Sequence, residues 1–376
     1  MRFCGASLRA ASGYGETMND AHASTAEVSS IVLDQADRLF RGEATKERLA
    51  DADRGAWPTA IWDAIEQAGL PLAMVAEAYG GVGLTPRDAL QVIRRAGYHT
   101  LPVPLAETMI AAALWTQAGG DAPHGTLSLG PTRAADSVAL EPISDGYVLH
   151  GSAARIPWGA NVDHVLLYAH TGSGTGHLVL LPRGTVATQA RRNLAFEPRD
   201  TFVFTGTSVP KTAVRPAAMA GGLLPFGALI RAQQLVGAME RCLDHAIGYA
   251  MERKQFGRPI GKFQAIQQML ADAAGQYAAA SAAADLAAAA FDAPDFMLSV
   301  AIAKARTGEA AGKIAEVSHQ VHGAMGFTQE HPLHFATRRL WSWRDEFGND
   351  AYWQERLGRL VCSRGADALW PMLVGM

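Results

Sequence analysis

Residues 251–268 read MERKQFGRPIGKFQAIQQ, and this stretch determines the predicted fold on both sides of it. It predicts the end of one amphipathic helix, a turn marked by Gly and Pro, and the start of the next helix. Arg253, Lys254 and Arg258 cluster at the corner, and Gln264 begins the second helix. Because a helix start has unpaired backbone N–H groups, an anion here would meet those groups and cationic side chains together. A solvated basic corner on an ordinary helix hairpin is the alternative interpretation.

A second block, QVHGAMGF at residues 320–327, lies further along the chain and is followed by Glu-His-Pro at 330–332. Together with RKQFGRPI at residues 253–260, this block resembles the signatures of the acyl-CoA dehydrogenase family of flavoproteins. The resemblance extends, more weakly, over nearly the whole chain. It implies an α+β multidomain fold with an N-terminal helical domain, a central antiparallel β-barrel or sandwich, and a C-terminal four-helix bundle.

The composition excludes several classes of function. A chain of 376 residues is long enough for two or three domains, each with its own core. Its formal net charge of -3 shows no excess of basic residues, so we expect no nucleic-acid partner. We expect no insertion into a membrane either. Cys4, Cys242 and Cys362 form no C-x-x-C pair and have no metal-ligand spacing, which is typical of a reduced intracellular protein. We therefore expect a cytoplasmic location and no metal site.

The pattern of residues divides the chain into four segments. Residues 1–23 are interpreted as a mobile tail, because the first seventeen lack an apolar run long enough for a signal peptide, and Met18 is a possible true start. Residues 24–122 have helical periodicity and predict an N-terminal helical domain. Residues 123–220 contain short β-type runs separated by turn residues, which predict the middle β-domain. Residues 221–376 return to helix.

The last segment contains four long helical stretches, which is the natural content of a four-helix bundle. They are predicted at residues 228–254, 263–291, 294–323 and 332–360. The Ala-rich tract 278–290 favours helix, and its small side chains permit close contact between helices.

The resemblance implies that FAD binds between subunits and that the two blocks contact the flavin of a neighbouring chain. The first block would contact the pyrophosphate and the adenine end through Arg253, Gln255, Phe256, Phe263 and Gln264. The second block would contact the adenosine half through Gln320, Val321, Gly323 and Ala324. Glycine at position 323 permits close backbone approach. His322 is interpreted as a buried core or interface histidine.

Residues 153–159 stand where the family usually has Trp-Ile-Thr-Asn-Gly, and the resemblance assigns Ile156, Pro157 and Trp158 to the flavin side of the β-domain. Pro157 replaces the threonine that hydrogen-bonds the flavin, and proline has no donor. Trp158 is displaced by one position, so it either packs on the flavin ring or belongs to the core or an interface. The bundle side of the flavin site is therefore expected to be stronger than the β side.

A catalytic base is the next requirement, because dehydrogenation of a thioester needs a carboxylate that removes the α-proton while hydride leaves the β-carbon. In most relatives this base is the glutamate of a Glu-Gly-Thr turn. Residues 347–349 of this chain, Phe-Gly-Asn, fall on that turn. Glu346, one residue earlier, is the leading candidate, ahead of Asp345 and Asp350.

Two observations compete with this assignment. A subset of the family carries the base near the start of the first bundle helix, and the matching position here is about Gly227, which has no side chain. Glu346 is equally well interpreted as an ion-pair partner of Arg344 or Arg339.

The resemblance implies FAD-dependent α,β-dehydrogenation of an acyl-CoA to the trans-2-enoyl-CoA, with electrons passing to an electron-transfer flavoprotein, in fatty acid or sterol side-chain catabolism. We expect a dimer of dimers, either a homotetramer or a heterotetramer with a related chain. One alternative is a catalytically silent partner subunit, and another is a flavin oxidase that passes electrons to oxygen. The acyl group depends on pocket depth, which the sequence does not reveal.

Overall fold

The N-terminal region is helical, as predicted. The computed structural model describes residues 13–374, so residues 1–12 of the predicted tail lie outside the described residues. The helices are α1 (Gly13–Glu43), α2 (Lys46–Asp53), α3 (Thr59–Gln67), α4 (Pro86–Tyr98) and α5 (Leu105–Gln117). Threonine caps two of them, because the side chains of Thr45 and Thr85 accept hydrogen bonds from backbone N–H groups in the first turns of α2 and α4.

The central region is one sheet of eight strands. They are β1 (Leu127–Gly130), β2 (Ser137–Ile143), β3 (Gly146–Pro157), β4 (His164–His170), β5 (Gly176–Pro182), β6 (Thr188–Gln189), β7 (Arg199–Pro210) and β8 (Val214–Pro216). The order is β6-β7-β3-β2-β4-β5-β8, and β1 pairs with β4 in parallel. The fold class is confirmed, with two differences in detail: the sheet is mixed, and its described strands do not close into a barrel.

A side-chain pair explains why β1 is parallel to β4. The Asp163 carboxylate accepts hydrogen bonds from the backbone N–H and the hydroxyl of Thr126, at 2.9 and 2.8 Å. The backbone N–H of Asp163 donates to the hydroxyl oxygen of Thr126 at 2.9 Å. Both residues immediately precede their strands, so the pair sets the two strand starts side by side.

The C-terminal region is a helical bundle. Its helices are α6 (Leu224–Glu252), α7 (Gln264–Ala289), α8 (Phe296–His322), α9 (Leu333–Trp343), α10 (Asp350–Arg364) and α11 (Leu369–Val374). The predicted turn between α6 and α7 is a hairpin of two short strands, β9 (Lys254–Gln255) and β10 (Arg258–Pro259). Phe256, at its tip, has a φ of +50°.

The fourth predicted bundle helix, residues 332–360, is wrong as one continuous element, because residues 344–349 interrupt it between α9 and α10. Lys304, fully buried on α8, donates hydrogen bonds to the carbonyl oxygens of Arg344 at 2.6 Å and Gly348 at 2.8 Å. A helix would use those carbonyls internally, so Lys304 stabilises the turn in place of the helix. We call residues 344–349 the interhelical turn.

The N-terminal helices and the bundle share one core, to which β1, β4 and β5 also contribute, and the rest of the β-domain packs around a second core. Glycine permits the contact between α4 and α6: a Cβ on Gly97 would lie 2.4 Å from the carbonyl oxygen of Gln234, and one on Gly237 would lie 2.0 Å from that of Arg94. The two backbones therefore touch at this crossing. Within residues 13–374, no helix has the length and apolar character needed to cross a membrane.

Candidate functional site

The two sequence blocks meet at one cavity of about 570 Å³ between the β9–β10 hairpin and the end of α8. Eight of the nine bundle residues predicted to contact a flavin line it: Arg253, Gln255, Phe256, Phe263, Gln320, Val321, Gly323 and Ala324. The ninth, Gln264, is the first residue of α7 and directly follows lining residue Phe263. We call this space the bundle cavity.

The rim of the bundle cavity combines exposed aromatic rings with cationic side chains. Phe256 is 91% exposed, and its ring lies edge-on to that of Phe263 with the centroids 6.0 Å apart. The Arg258 guanidinium lies over the Phe263 ring at 4.3 Å. Arg253 is exposed and makes no ion pair with any other described residue. Its charge is therefore available to an anion in the cavity.

The floor of the bundle cavity is aromatic. His322 is only 2% exposed, its Nδ1 lies 2.7 Å from the carbonyl oxygen of Ser318, and its ring stacks on Tyr249 with the centroids 4.7 Å apart. Beneath it, the ring of His331 lies 4.5 Å from His322 and 5.4 Å from His245. His245, His322 and His331 form what we call the histidine cluster. Burial, with nearby Arg241, lowers the pKa of His245 to about 3.

The predicted β-side residues do not border the bundle cavity. Ile156 is fully buried and Trp158 is 7% exposed, and both belong to the core of the β-domain. The Trp158 ring lies edge-on to Trp57 with the centroids 6.1 Å apart. Pro157 is buried, and its carbonyl oxygen already accepts a hydrogen bond from the hydroxyl of Ser128. Pro157 therefore presents no free polar group to a cofactor.

A second cavity, of about 230 Å³, lies between the β-domain and the interhelical turn, and we call it the inner cavity. Glu346 and Phe347 line one side, and Thr132, Arg133 and Arg155 line the other. The sequence interpretation missed the two arginines. Arg155 directly precedes the residues assigned to the flavin side of the β-domain, but its direction depends on a local irregularity in β3.

Three side chains donate hydrogen bonds to Glu346. Arg199 Nε lies 2.6 Å from Oε1, Arg231 Nε lies 2.7 Å from Oε2, and the side-chain amide of Asn193 donates to Oε1 at 3.1 Å. Burial alone would raise the pKa of Glu346, but the two guanidinium groups outweigh it and lower the pKa to about 2. The expected ion-pair partners are different: Arg344 pairs with Asp350 at 3.1 Å, and Arg339 pairs with Glu197 at 3.0 Å.

These contacts form an alternating chain of buried charges across all three regions. It runs from Glu107 on α5 through Arg231 on α6 to Glu346, and continues through Arg199 on β7 to Glu197 and then Arg339. Except for Glu346, at 11%, each of these side chains is at most 4% exposed. Three carboxylates face three guanidinium groups, so the group as a whole is electrically balanced. We call it the charge chain.

The two positions that the resemblance assigns to the family's base, 347 and 227, are in contact with each other. Phe347 is 1% exposed, has a φ of +53°, and packs against Gly227 on α6. A Cβ on Gly227 would lie 2.0 Å from Cδ1 of Phe347. The absence of a side chain at Gly227 therefore creates the space that the Phe347 ring fills. Asp345 is exposed at the edge of the inner cavity.

Two family descriptions match the chain: "Acyl-CoA dehydrogenase, N-terminal domain" over residues 27–122, and "Acyl-CoA dehydrogenase, C-terminal domain" over residues 217–358. Acyl-CoA dehydrogenase IpdE2 of Mycobacterium tuberculosis is 29% identical over 300 residues, which is 79% of this chain and 85% of the relative. The chain belongs to the acyl-CoA dehydrogenase family, an enzyme class of oxidoreductases acting on CH–CH groups.

Two solved structures show the same fold. The ChsE4-ChsE5 complex from Mycobacterium tuberculosis is similar with a TM-score of 0.81 and 23% identity, covering 89% of this chain and 96% of the other. PigA with FAD and proline is similar with a TM-score of 0.77 and 18% identity, covering 90% of this chain and 98% of the other.

Proposed function

We propose that this chain takes part in the FAD-dependent α,β-dehydrogenation of an acyl-CoA to the trans-2-enoyl-CoA. In this proposal it is the subunit that holds the ADP half of the flavin, while a related chain supplies the base. The contact between Phe347 and Gly227 carries the proposal, because it fills both family positions for a base with apolar atoms.

Glu346 is poorly suited to replace that base. A general base works best when its pKa lies near the working pH, so that its conjugate acid forms readily in the transition state. A carboxylate with a pKa of about 2 has little tendency to take a proton from carbon. Both of its oxygens also accept hydrogen bonds from the guanidinium groups of Arg199 and Arg231.

The residues present fit one half of FAD better than the other. In the bundle cavity, the free charge of Arg253, the exposed Phe256 ring and the backbone around Gly323 suit a pyrophosphate and an adenosine. On the β side, Pro157 has no donor for the polar edge of a flavin ring, and Arg155 borders the inner cavity. When bound, FAD would supply the hydride acceptor, and this chain would hold it and orient it for its partner.

Assembly with a related chain follows from this division of the flavin site. Of the two similar structures, one is the ChsE4-ChsE5 complex and the other is PigA with FAD and proline. In this chain, Phe256 and Phe327 are 91% and 76% exposed beside the bundle cavity, as expected of rings that a second subunit covers. We further propose a heterotetramer, an electron-transfer flavoprotein as electron acceptor, and a cytoplasmic location.

A self-sufficient dehydrogenase is the second candidate, because Glu346 does line the inner cavity. The first test is the visible absorption spectrum of the chain expressed alone and with a related, base-bearing chain. We expect a colourless protein alone, and a yellow complex that bleaches on anaerobic addition of an acyl-CoA. A yellow protein that bleaches by itself would favour the second candidate, and turnover with oxygen alone would favour a flavin oxidase.

A further inference from the structure

The inner cavity owes its charge to an irregularity in β3. Ala153 pairs with Phe202 and Ile156 pairs with Asp200, so β3 has one residue more than β7 over this interval. This β-bulge contains Arg155, which has a φ of +59°. Bulges redirect side chains and are frequent beside functional sites, and positive φ at a residue other than glycine is strained. The bulge places Arg155 on the inner cavity.

Arg155 has no neutralising partner. It makes no hydrogen bond or ion pair with any described residue, and the nearest carboxylate to Arg133 is Asp136, at 3.9 Å. The charge of Glu346 is already balanced within the charge chain. The remaining carboxylate on the lining is that of exposed Asp345. Arg133 has an ion-pair partner in Asp136, so Arg155, which is exposed, is the guanidinium group on this lining without a partner among the described residues.

The inner cavity adjoins a larger space of about 400 Å³, with which it shares four lining residues: Arg133, Ala134, Leu224 and Tyr352. Much of the wall beyond them is apolar, with Val138, Leu223, Met297 and Trp353 among its residues. Arg356 borders the far part of this space. The combined cleft offers the unpaired guanidinium group of Arg155 at its inner end, Asp136 and Asp345 also border it, and much of the wall next to Arg155 is apolar, which matches an amphiphilic anion.

We propose that this cleft binds a free carboxylic acid with an apolar body, its carboxylate lying between Arg155 and Arg133, and that it binds this ligand without turnover. Guanidinium groups bind carboxylates through paired hydrogen bonds. A thioester carbonyl carries no charge and gains much less from two cations. This inference rests on the proposed function in one respect: the inner cavity is not used to remove a proton.

The test is isothermal titration of the full-length chain with decanoate. Three other ligands serve as controls. Decan-1-ol has an alkyl chain of the same length but no charge, and inorganic phosphate has charge but no alkyl chain. Decanoyl-CoA is the corresponding thioester. We expect saturable binding of decanoate with one site per chain, and much weaker binding of the alcohol and of phosphate. Arg155→Gln weakens decanoate binding by about tenfold or more, because a charge-assisted hydrogen bond is lost. Arg359→Gln, at an exposed ion pair on α10, leaves it unchanged.

Three results would overturn the inference: decanol binding as tightly as decanoate, decanoate binding unaffected in Arg155→Gln, or decanoyl-CoA binding more tightly than decanoate and independently of Arg155. Arg133→Gln replaces Arg155→Gln if the latter does not fold by circular dichroism. Flavin uptake with the partner chain is measured on the same samples. Decanoate binding without flavin uptake would contradict the proposed function alone, and flavin uptake without decanoate binding would contradict this inference alone.

Discussion

Arg231 and Glu107 form an ion pair of 2.6 Å in which each side chain is 1% exposed. Removing one member of a buried pair leaves the other charge without compensation, which costs about 3–5 kcal/mol. Arg231→Met is therefore expected to lower the free energy of unfolding by that amount, measured by urea denaturation. Arg359→Met, at the exposed pair with Glu355, is the control, with an expected change within about 0.5 kcal/mol. Equal urea midpoints for the two variants would contradict the importance of the charge chain.

Gly227→Ala is expected to destabilise the protein although alanine favours helix. The new methyl group would meet the Phe347 ring, and overpacking of this kind costs about 1–3 kcal/mol. Gly248→Ala on the same helix has no atom within 4 Å of the new Cβ, and should stabilise by up to about 1 kcal/mol. Thermal denaturation compares the two. Phe347→Leu should reduce the effect of Gly227→Ala, and a fully additive double mutant would argue against the contact.

Lys304→Met is expected to loosen the interhelical turn. The carbonyls of Arg344 and Gly348 would lose their donor, at a cost of about 1–3 kcal/mol for each group left unsatisfied. Hydrogen exchange should accelerate at the amides of residues 344–349. Lys313→Met on the same helix removes an exposed lysine and should leave this exchange unchanged. No local acceleration in Lys304→Met would show that other contacts hold the turn.

The histidine cluster predicts a stability that depends on pH. The pKa of His245 is lowered from 6.5 to about 3 in the folded chain, so the unfolded chain binds its proton first as the pH falls. The stabilisation of the folded chain by neutral His245 is complete above pH 6.5, and it is lost as the pH falls from 6.5 towards 3. Burial lowers this pKa most, and the charged neighbours that lower it further are Arg241, His331 and His322, with no carboxylate among residues 13–374 opposing them.

Thermal midpoints between about pH 7.5 and pH 5 test this prediction. His245→Gln should flatten the fall in midpoint, whereas His124→Gln, at an exposed position, should leave it unchanged. The same slope in all three proteins would exclude His245 as a source of the pH dependence.

The free charge of Arg253 predicts an effect on flavin retention. In the complex with a partner chain, Arg253→Gln should weaken flavin binding by about tenfold, because one charged contact to the pyrophosphate is lost. Lys254→Gln removes the same charge from the adjacent residue, which does not line the bundle cavity, and should retain the flavin. Flavin released on dilution is measured by fluorescence. Equal release of flavin from both variants would mean that flavin retention depends only on the total charge of the β9–β10 hairpin.

The sequence predicts those site residues that lie close together along the chain, and it does not predict contacts between residues that are far apart in sequence. The residues of the two blocks lie in short continuous stretches, and eight of the nine predicted from them line one cavity. The partners of Glu346 could not be inferred, because Asn193, Arg199 and Arg231 are remote from it in sequence.

Tertiary contacts also explain the remaining differences. The break between α9 and α10 depends on Lys304, which reaches it from another helix, whereas helical periodicity continues through residues 332–360. The direction of Arg155 depends on a bulge that only the pairing of β3 with β7 defines. The alternation of inward-facing and outward-facing residues along a strand does not reveal where such a bulge occurs.

The contact of α4 with α6 through Gly97 and Gly237 divides the molecule differently from its sequence. The N-terminal helices and the bundle are separated along the chain by the whole β-domain, yet they share one apolar interior, which also contains residues of β1, β4 and β5, and the rest of the β-domain packs around a second interior. Cooperative unfolding follows shared interiors and not the order of segments. The natural folding unit of this chain is therefore a discontinuous helical body, assembled from both ends of the sequence, to which the β insertion is tied through apolar residues of β1, β4 and β5 and through Glu197 and Arg199 of the charge chain.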